Sequence, residues 1–132
     1  MSSSIYSRMY ILEHAKEPFN YKKPKKFLAK VKVFNKSCGD DMTLYLVKDK
    51  KNKYNFYFSA NACAVAVSSA SMILESLSKN KNLLKKINLL KKKDILNNFD
   101  VVLSPSRQKC ALLVYNGLKK LSKYEKEKEK EI

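Results

Sequence analysis

Three cysteines, one aspartate and one arginine carry the chemistry this sequence offers. Cys38 lies in Ser37-Cys38-Gly39-Asp40, where an extended segment turns. Cys63 opens a run of small residues, Ala64 to Met72, and Cys110 follows Pro105 and Arg107 and opens the apolar run Ala111 to Tyr115. Three thiols and a nearby carboxylate suffice for one tetrahedral metal site if the fold brings them together.

Each member has a local reason to take part. Cys63 and Cys110 fall at predicted helix N-termini, where unpaired amides and the helix dipole favour an anion and make a thiol a readier ligand or nucleophile. Gly39, one of only two glycines, permits the tight turn and close backbone approach that a ligand loop between strands needs. Asp40, two residues after Cys38, can add a carboxylate oxygen. The separations are long, 25 residues from Cys38 to Cys63 and 47 from Cys63 to Cys110, so no local zinc-knuckle spacing exists. Free cysteine commonly behaves as a small buried hydrophobe, and spacing alone leaves that reading open beside the shared site. Arg107 reads either as solvated or as site-adjacent. His14, the only histidine, reads as a helix-end residue, with a fourth-ligand role as the alternative.

The elements that must position these residues follow from hydrophobic period. Ser4 to Ala15 carries Ile5, Met9 and Leu12 at helical spacing, and Glu17-Pro18 closes that helix. A basic, proline-marked linker spans Asn20 to Lys26. Phe27 to Phe34 alternates as a strand with Val31 and Val33 inward and the lysines outward. After the Cys38 turn, Met42, Leu44 and Leu46 alternate in a second strand, and Tyr54, Phe56 and Phe58 in a third. Short connections predict an antiparallel meander. The period then turns helical from Cys63, with Val65, Ser69, Met72, Ile73 and Leu77 on one face. Asn82 to Leu90 is a second helical stretch, extended by Asp94 to Asn98. A last helix begins near Cys110 and fades into the alternating charges of Tyr124 to Lys130. The expected architecture is α+β, a three-stranded antiparallel sheet with helices packed on one side: a single domain over residues 1–121 and a frayed charged tail over 122–132.

Composition narrows the function classes. With 132 residues and 45% hydrophobic content, one modest core is expected. No stretch approaches the roughly 18 uninterrupted apolar residues of a membrane span. The first eight residues lack a basic start followed by an apolar block, so no secretory signal is read and a cytoplasmic location is expected, where thiols stay reduced. Three is also an odd number, which rules out a complete disulfide framework and leaves metal or sulfur chemistry as the better reading. The net charge of +16 suggests nucleic acid. Against it, lysine supplies nearly all the positive charge, Arg8 and Arg107 are the only arginines, and the lysines are spread along the chain. Base recognition and bidentate phosphate contacts favour arginine, so a basic nucleic-acid-binding module is the lesser alternative, and an acidic protein partner or no specific role for the lysines the better one.

Taken together, Ser37-Cys38-Gly39-Asp40, the Cys63 segment running into Ser68 to Met72, and Arg107-Gln108-Lys109-Cys110-Ala111-Leu112-Leu113 resemble the NifU N-terminal/IscU scaffold family. Tyr10 to His14, with Pro18 and Asn20 after it, resembles that family's opening helix. The resemblance implies iron–sulfur cluster assembly with a cysteine desulfurase. Lys109 stands where the IscU branch has a histidine before its third cysteine, so the chain looks closest to the SufU branch. That branch implies a zinc ion held by Cys38, Asp40, Cys63 and Cys110. It also implies Cys38 as acceptor of persulfide sulfur from a SufS-type desulfurase, with Arg107 beside the site. The protein is then no enzyme by itself, and apo iron–sulfur proteins are its further partners. A direct scaffold of IscU type, holding a transient [2Fe–2S] cluster on Cys38, Cys63 and Cys110, is the alternative within the family.

Overall fold

A computed structural model describes residues 11–36, 39–51, 53–79, 83–99 and 103–130, with residues 84 and 124–130 as backbone only. Residues 11–16 form helix α1. Strands β1 (Ala29–Asn35), β2 (Asp40–Lys48) and β3 (Tyr54–Asn61) follow. Five helices complete the order: α2 (Ala64–Ser78), α3 (Leu83–Leu89), α4 (Lys92–Leu96), α5 (Pro105–Ala111) and α6 (Leu113–Lys130). The expected first helix over Ser4 to Ala15 lies in part outside the described residues.

The three strands form the expected antiparallel meander, in the order β1-β2-β3. Alternation decides its two faces. Across the ladder, Ala29 stands opposite Leu46 and Phe56, Val31 opposite Leu44 and Phe58, and Val33 opposite Met42 and Ala60. All but the half-buried Val31 and Ala60 are buried. The other face carries Lys30, Lys32 and Phe34, all exposed, with the Lys30 and Lys32 ammonium groups over the Phe27 and Phe34 rings.

Helices pack around the sheet, giving the α+β architecture. Helix α6 lies against β1 and β2, and α2 against β3. Close approach of α6 rests on Gly117, because a Cβ there would run into the Leu44 side chain and come within 3.7 Å of Val31 Cγ1. On α2, Val65, Ser69, Met72, Ile73 and Leu77 are all buried, as their spacing predicts.

Two expectations need correction. The proline-marked segment after α1 is not a loose linker: Asn20 adopts φ 55°, and Tyr21 makes a parallel bridge to Phe58. Phe58 N donates to Asn20 O (3.1 Å), Lys22 N donates to Phe58 O (2.9 Å), and Asn20 Nδ2 donates to Phe56 O (2.9 Å). The outer edge of β3 is thereby covered, a common fate for unpaired strand edges. Asp94 also does not extend α3. Leu90 is buried, Lys91 turns extended, and Lys91 N donates to Asp94 Oδ2 (2.8 Å), so a new helix starts there with Asp94 in its first turn.

Candidate metal centre

The alternation that buries Val33 and Met42 continues by one more rung. Asn35 pairs with Asp40 at the end of the β1–β2 ladder, on the same face as the core. Both are buried, at 7% and 8% exposure. A carboxylate and an amide are thus held under the helices, where solvent cannot satisfy them and the fold must. The β1–β2 connection contains Cys38, which with Ser37 lies outside the described residues. Gly39 has φ 70°, the left-handed backbone that its lack of a Cβ permits.

Cys63 follows β3 and is the residue from which α2 starts, as expected; its backbone is extended, and it is exposed. Cys110 departs from expectation. It is not at a helix start but near the end of the seven-residue α5, and it is 3% exposed. The start signal lies six residues upstream: Ser104 Oγ accepts from Arg107 N, and Pro105 occupies the first helical position. The chain bends at Leu112 before α6 begins. Cys63 thus stands at the N-terminus of α2, whereas Cys110 sits inside α5, three residues before α6 opens at Leu113.

What Cys110 has instead is a polar line through its sulfur. Asn35 Nδ2 donates to Cys110 Sγ at 3.3 Å, and Cys110 Sγ donates to Asp40 Oδ2 at 3.3 Å. The ligand atoms of Asp40, Cys63 and Cys110 all lie within 4.8 Å of one another. A tetrahedral zinc–thiolate centre needs sulfur–sulfur separations of about 3.8 Å, from metal–sulfur bonds near 2.3 Å, and carboxylate oxygens at similar range. The set fits such an ion after sub-ångström to ångström adjustment. Its chemistry fits too, since the proton shared by Cys110 and Asp40 is one that metal binding displaces.

Arg107 is exposed, one turn before Cys110 on α5. His14 is elsewhere: it is buried on α1, and its Nδ1 lies 2.6 Å from Ser71 Oγ, which also accepts from Phe19 N at 2.7 Å. The helix-end placement of His14 is correct, and it is not among the clustered donors. Sequence reasoning missed Asn35. Its signal was the strand parity itself, which put a polar residue on the inward face two positions after Val33. Beside the cluster, a groove of about 340 Å³ is lined by Phe34, Asn35, Lys36, Lys92, Lys109 and Asn116, among others, with three lysines and no acidic residue among the described residues.

Comparison with known proteins now decides the family. The model of the NifU-like N terminal domain matches residues 6–131, nearly the whole chain. The chain belongs to the NifU-like N-terminal domain family. It is thus an iron–sulfur cluster assembly scaffold of the NifU, IscU and SufU type. Among solved structures it resembles a candidate iron–sulfur cluster assembly scaffold protein for the SUF system from thermophilic Fervidobacterium islandicum AW-1. That match has 25% identity and TM-score 0.60, covering 83% of this chain and 91% of that one. A NifU-like protein (N-terminal) from Brucella abortus shares the fold at 18% identity and TM-score 0.62, covering 83% and 86%. No curated protein sequence matches significantly. None of the described helices is long and apolar enough to cross a membrane.

Proposed function

We propose that this family member is a SufU-like, zinc-dependent acceptor of persulfide sulfur from a SufS-type cysteine desulfurase, working in the cytoplasm. The observation that carries the reading is the convergence of buried Asp40 and Cys110 with exposed Cys63 beside the connection that contains Cys38. Cys38, Asp40, Cys63 and Cys110 would hold the zinc, which keeps the sulfurs deprotonated and shields them from stray oxidation.

The chain's own residues do the rest. The Cys38 thiolate attacks the outer sulfur of the desulfurase persulfide. The sulfur–sulfur bond of that persulfide breaks, the desulfurase cysteine leaves as a thiolate, and Cys38 carries the persulfide. Arg107, an exposed cation one turn from Cys110, stabilises the thiolate of a ligand cysteine when it is released. The lysine-lined groove supplies positive potential to an approaching acidic surface. On this reading the protein turns over no substrate alone.

The test pairs metal content with desulfurase turnover. One zinc per chain and faster cysteine turnover on adding the protein are the expected results. No metal and no effect would return the cysteines to structural packing. The second reading, a direct scaffold, is favoured by the family and by the thiolate-rich donor set, on which a [2Fe–2S] cluster is cargo. Anaerobic reconstitution and transfer to an apo acceptor tests it, and a stable, transferable cluster would favour that reading over sulfur acceptance.

A further inference from the structure

Beside buried Asp40 and Cys110 the centre contains a further buried polar group that no ligand set includes. Asn35 is 7% exposed, faces Asp40 across the ladder and aims its amide nitrogen at Cys110 Sγ from 3.3 Å. We infer that Asn35 is a positioning residue: its side-chain N–H sets the direction of the Cys110 sulfur and partly neutralises its charge once the thiol proton is gone. The inference rests on the metal-centre reading above.

Three observations support this. The first is donor chemistry. An amide N–H₂ can only donate, so this contact strengthens when the thiol becomes a thiolate, as hydrogen bonds to charged acceptors do. The second is the backbone around Cys110. Cys110 sits inside the seven-residue α5, one residue from its end and three before α6 opens at Leu113, so it does not stand at the N-cap of a helix as Cys63 does. Asn35 supplies a partial positive charge there from a different element. The third is rigidity. Asn35 is the last residue of β1, in register with a ligand candidate, so one strand pair fixes both the carboxylate and the donor that points at the sulfur. Partners of this kind, behind a metal ligand, are commonly worth 10–100-fold in metal affinity.

Asn35→Asp is the informative substitution because it keeps size and shape while replacing the donor by a carboxylate facing the sulfur. Asn35→Ala removes the donor without adding charge. Cobalt(II) serves as the probe, since its thiolate charge-transfer bands report the electron density on sulfur. The expected result is a cobalt affinity about 10–100-fold lower in both variants, Asn35→Asp the weaker, with the charge-transfer bands moved to lower energy in Asn35→Ala. Affinity within threefold of wild type together with unmoved bands would overturn the inference.

A second measurement needs no substitution and so survives a variant that fails to fold. In the wild-type protein loaded with cadmium-113, the Asn35 side-chain amide proton is expected to show scalar coupling to the metal through the N–H···S bond. Cadmium bound by Cys110 with no such coupling would overturn the role of Asn35 while leaving the metal centre standing. Failure of the wild-type protein to bind either metal would overturn both.

Discussion

Cys110 Sγ and Asp40 Oδ2 stand 3.3 Å apart although 70 residues separate them in sequence. One arrives on a short helix and the other on the first residue of β2. Asp40 is almost fully buried, and among the described residues the other ligand atom within 4.8 Å of it is the Cys63 thiol. Such a carboxylate is an unfavourable group to bury unless something compensates it.

On the proposed reading a bound divalent ion would be that compensation, so folding and metal binding should be linked. A ligand at a thousandfold excess over its dissociation constant stabilises by about 4 kcal/mol. For a chain of this size that corresponds to a rise in Tm of roughly 10–20 °C. Thermal melts of the wild-type protein with zinc and with chelator should show this rise, and Asp40→Ala should lose most of it. An Asp40→Ala protein that keeps the full shift would remove Asp40 from the donor set.

Cys38→Ala should separate metal holding from sulfur chemistry. Asp40, Cys63 and Cys110 remain, so some zinc stays bound, but the thiol assigned to carry the transferred sulfur is gone. Mass spectrometry after incubation with desulfurase and cysteine should find no added sulfur atom on the variant and one on the wild type. Full loading of the variant would refute the assignment of Cys38 as acceptor.

Most of this arrangement was readable from the chain, and the exceptions share a physical cause. The strands were legible because a sheet with one wet face imposes strict alternation, and the same alternation carried Asp40 inward. The run Ala111 to Tyr115 does open a helix, α6 from Leu113. The short α5 before it, which holds Cys110, went unread because its start signal, Ser104-Pro105, lies in a cap rather than in hydrophobicity. Asn35 follows the same parity and was overlooked. The anchoring of residues 20–22 on β3 went unread for a different reason, since it depends on contacts across tens of residues, which local spacing does not encode. Convergence of the three donors likewise became visible only with α5 in place.

The groove beside the centre makes a prediction about docking. Lys36, Lys92 and Lys109 line it and no acidic residue among the described ones does, so reversing all three charges should weaken association with an acidic partner surface. Stimulation of desulfurase turnover by Lys36→Glu/Lys92→Glu/Lys109→Glu is expected to fall several-fold at low salt, with zinc content unchanged. The gap to wild type should narrow as ionic strength rises and the Debye length falls below about 8 Å. Equal stimulation at all salt concentrations would assign docking to another face.

The β2–β3 turn carries a pH-dependent term. Asp49 Oδ1 accepts from Lys53 N at 2.9 Å and from Lys51 N at 2.8 Å. These bonds, the one from the Lys53 amide foremost, hold its carboxyl below the usual value of 3.8. A carboxyl with a lowered folded-state pKa contributes stability that is complete above the unfolded value and is lost as pH falls through the folded one. Asp49→Ala should therefore lower the urea midpoint at pH 7, and the difference from wild type should shrink below about pH 4. A carboxyl carbon titration with its midpoint at or above 3.8 would contradict the turn geometry.

Gly117 tests the packing that holds the sheet under α6. On helix propensity alone, replacing an interior glycine by alanine stabilises by about 1 kcal/mol. Here the added Cβ would run into Leu44 Cδ1 and stand 3.3 Å from Leu44 Cγ, at a residue that is itself fully buried. Overpacking of that kind costs about 1–3 kcal/mol, so the steric term wins and Gly117→Ala should destabilise by roughly 1 kcal/mol net. Leu44→Val withdraws the obstructing methyl, so the double variant should be more stable than the sum of the two single effects by about 0.5–2 kcal/mol. Urea denaturation of the four proteins in that cycle reads the coupling directly. A stabilising Gly117→Ala with no coupling to Leu44 would mean that α6 does not approach β2 as closely as described.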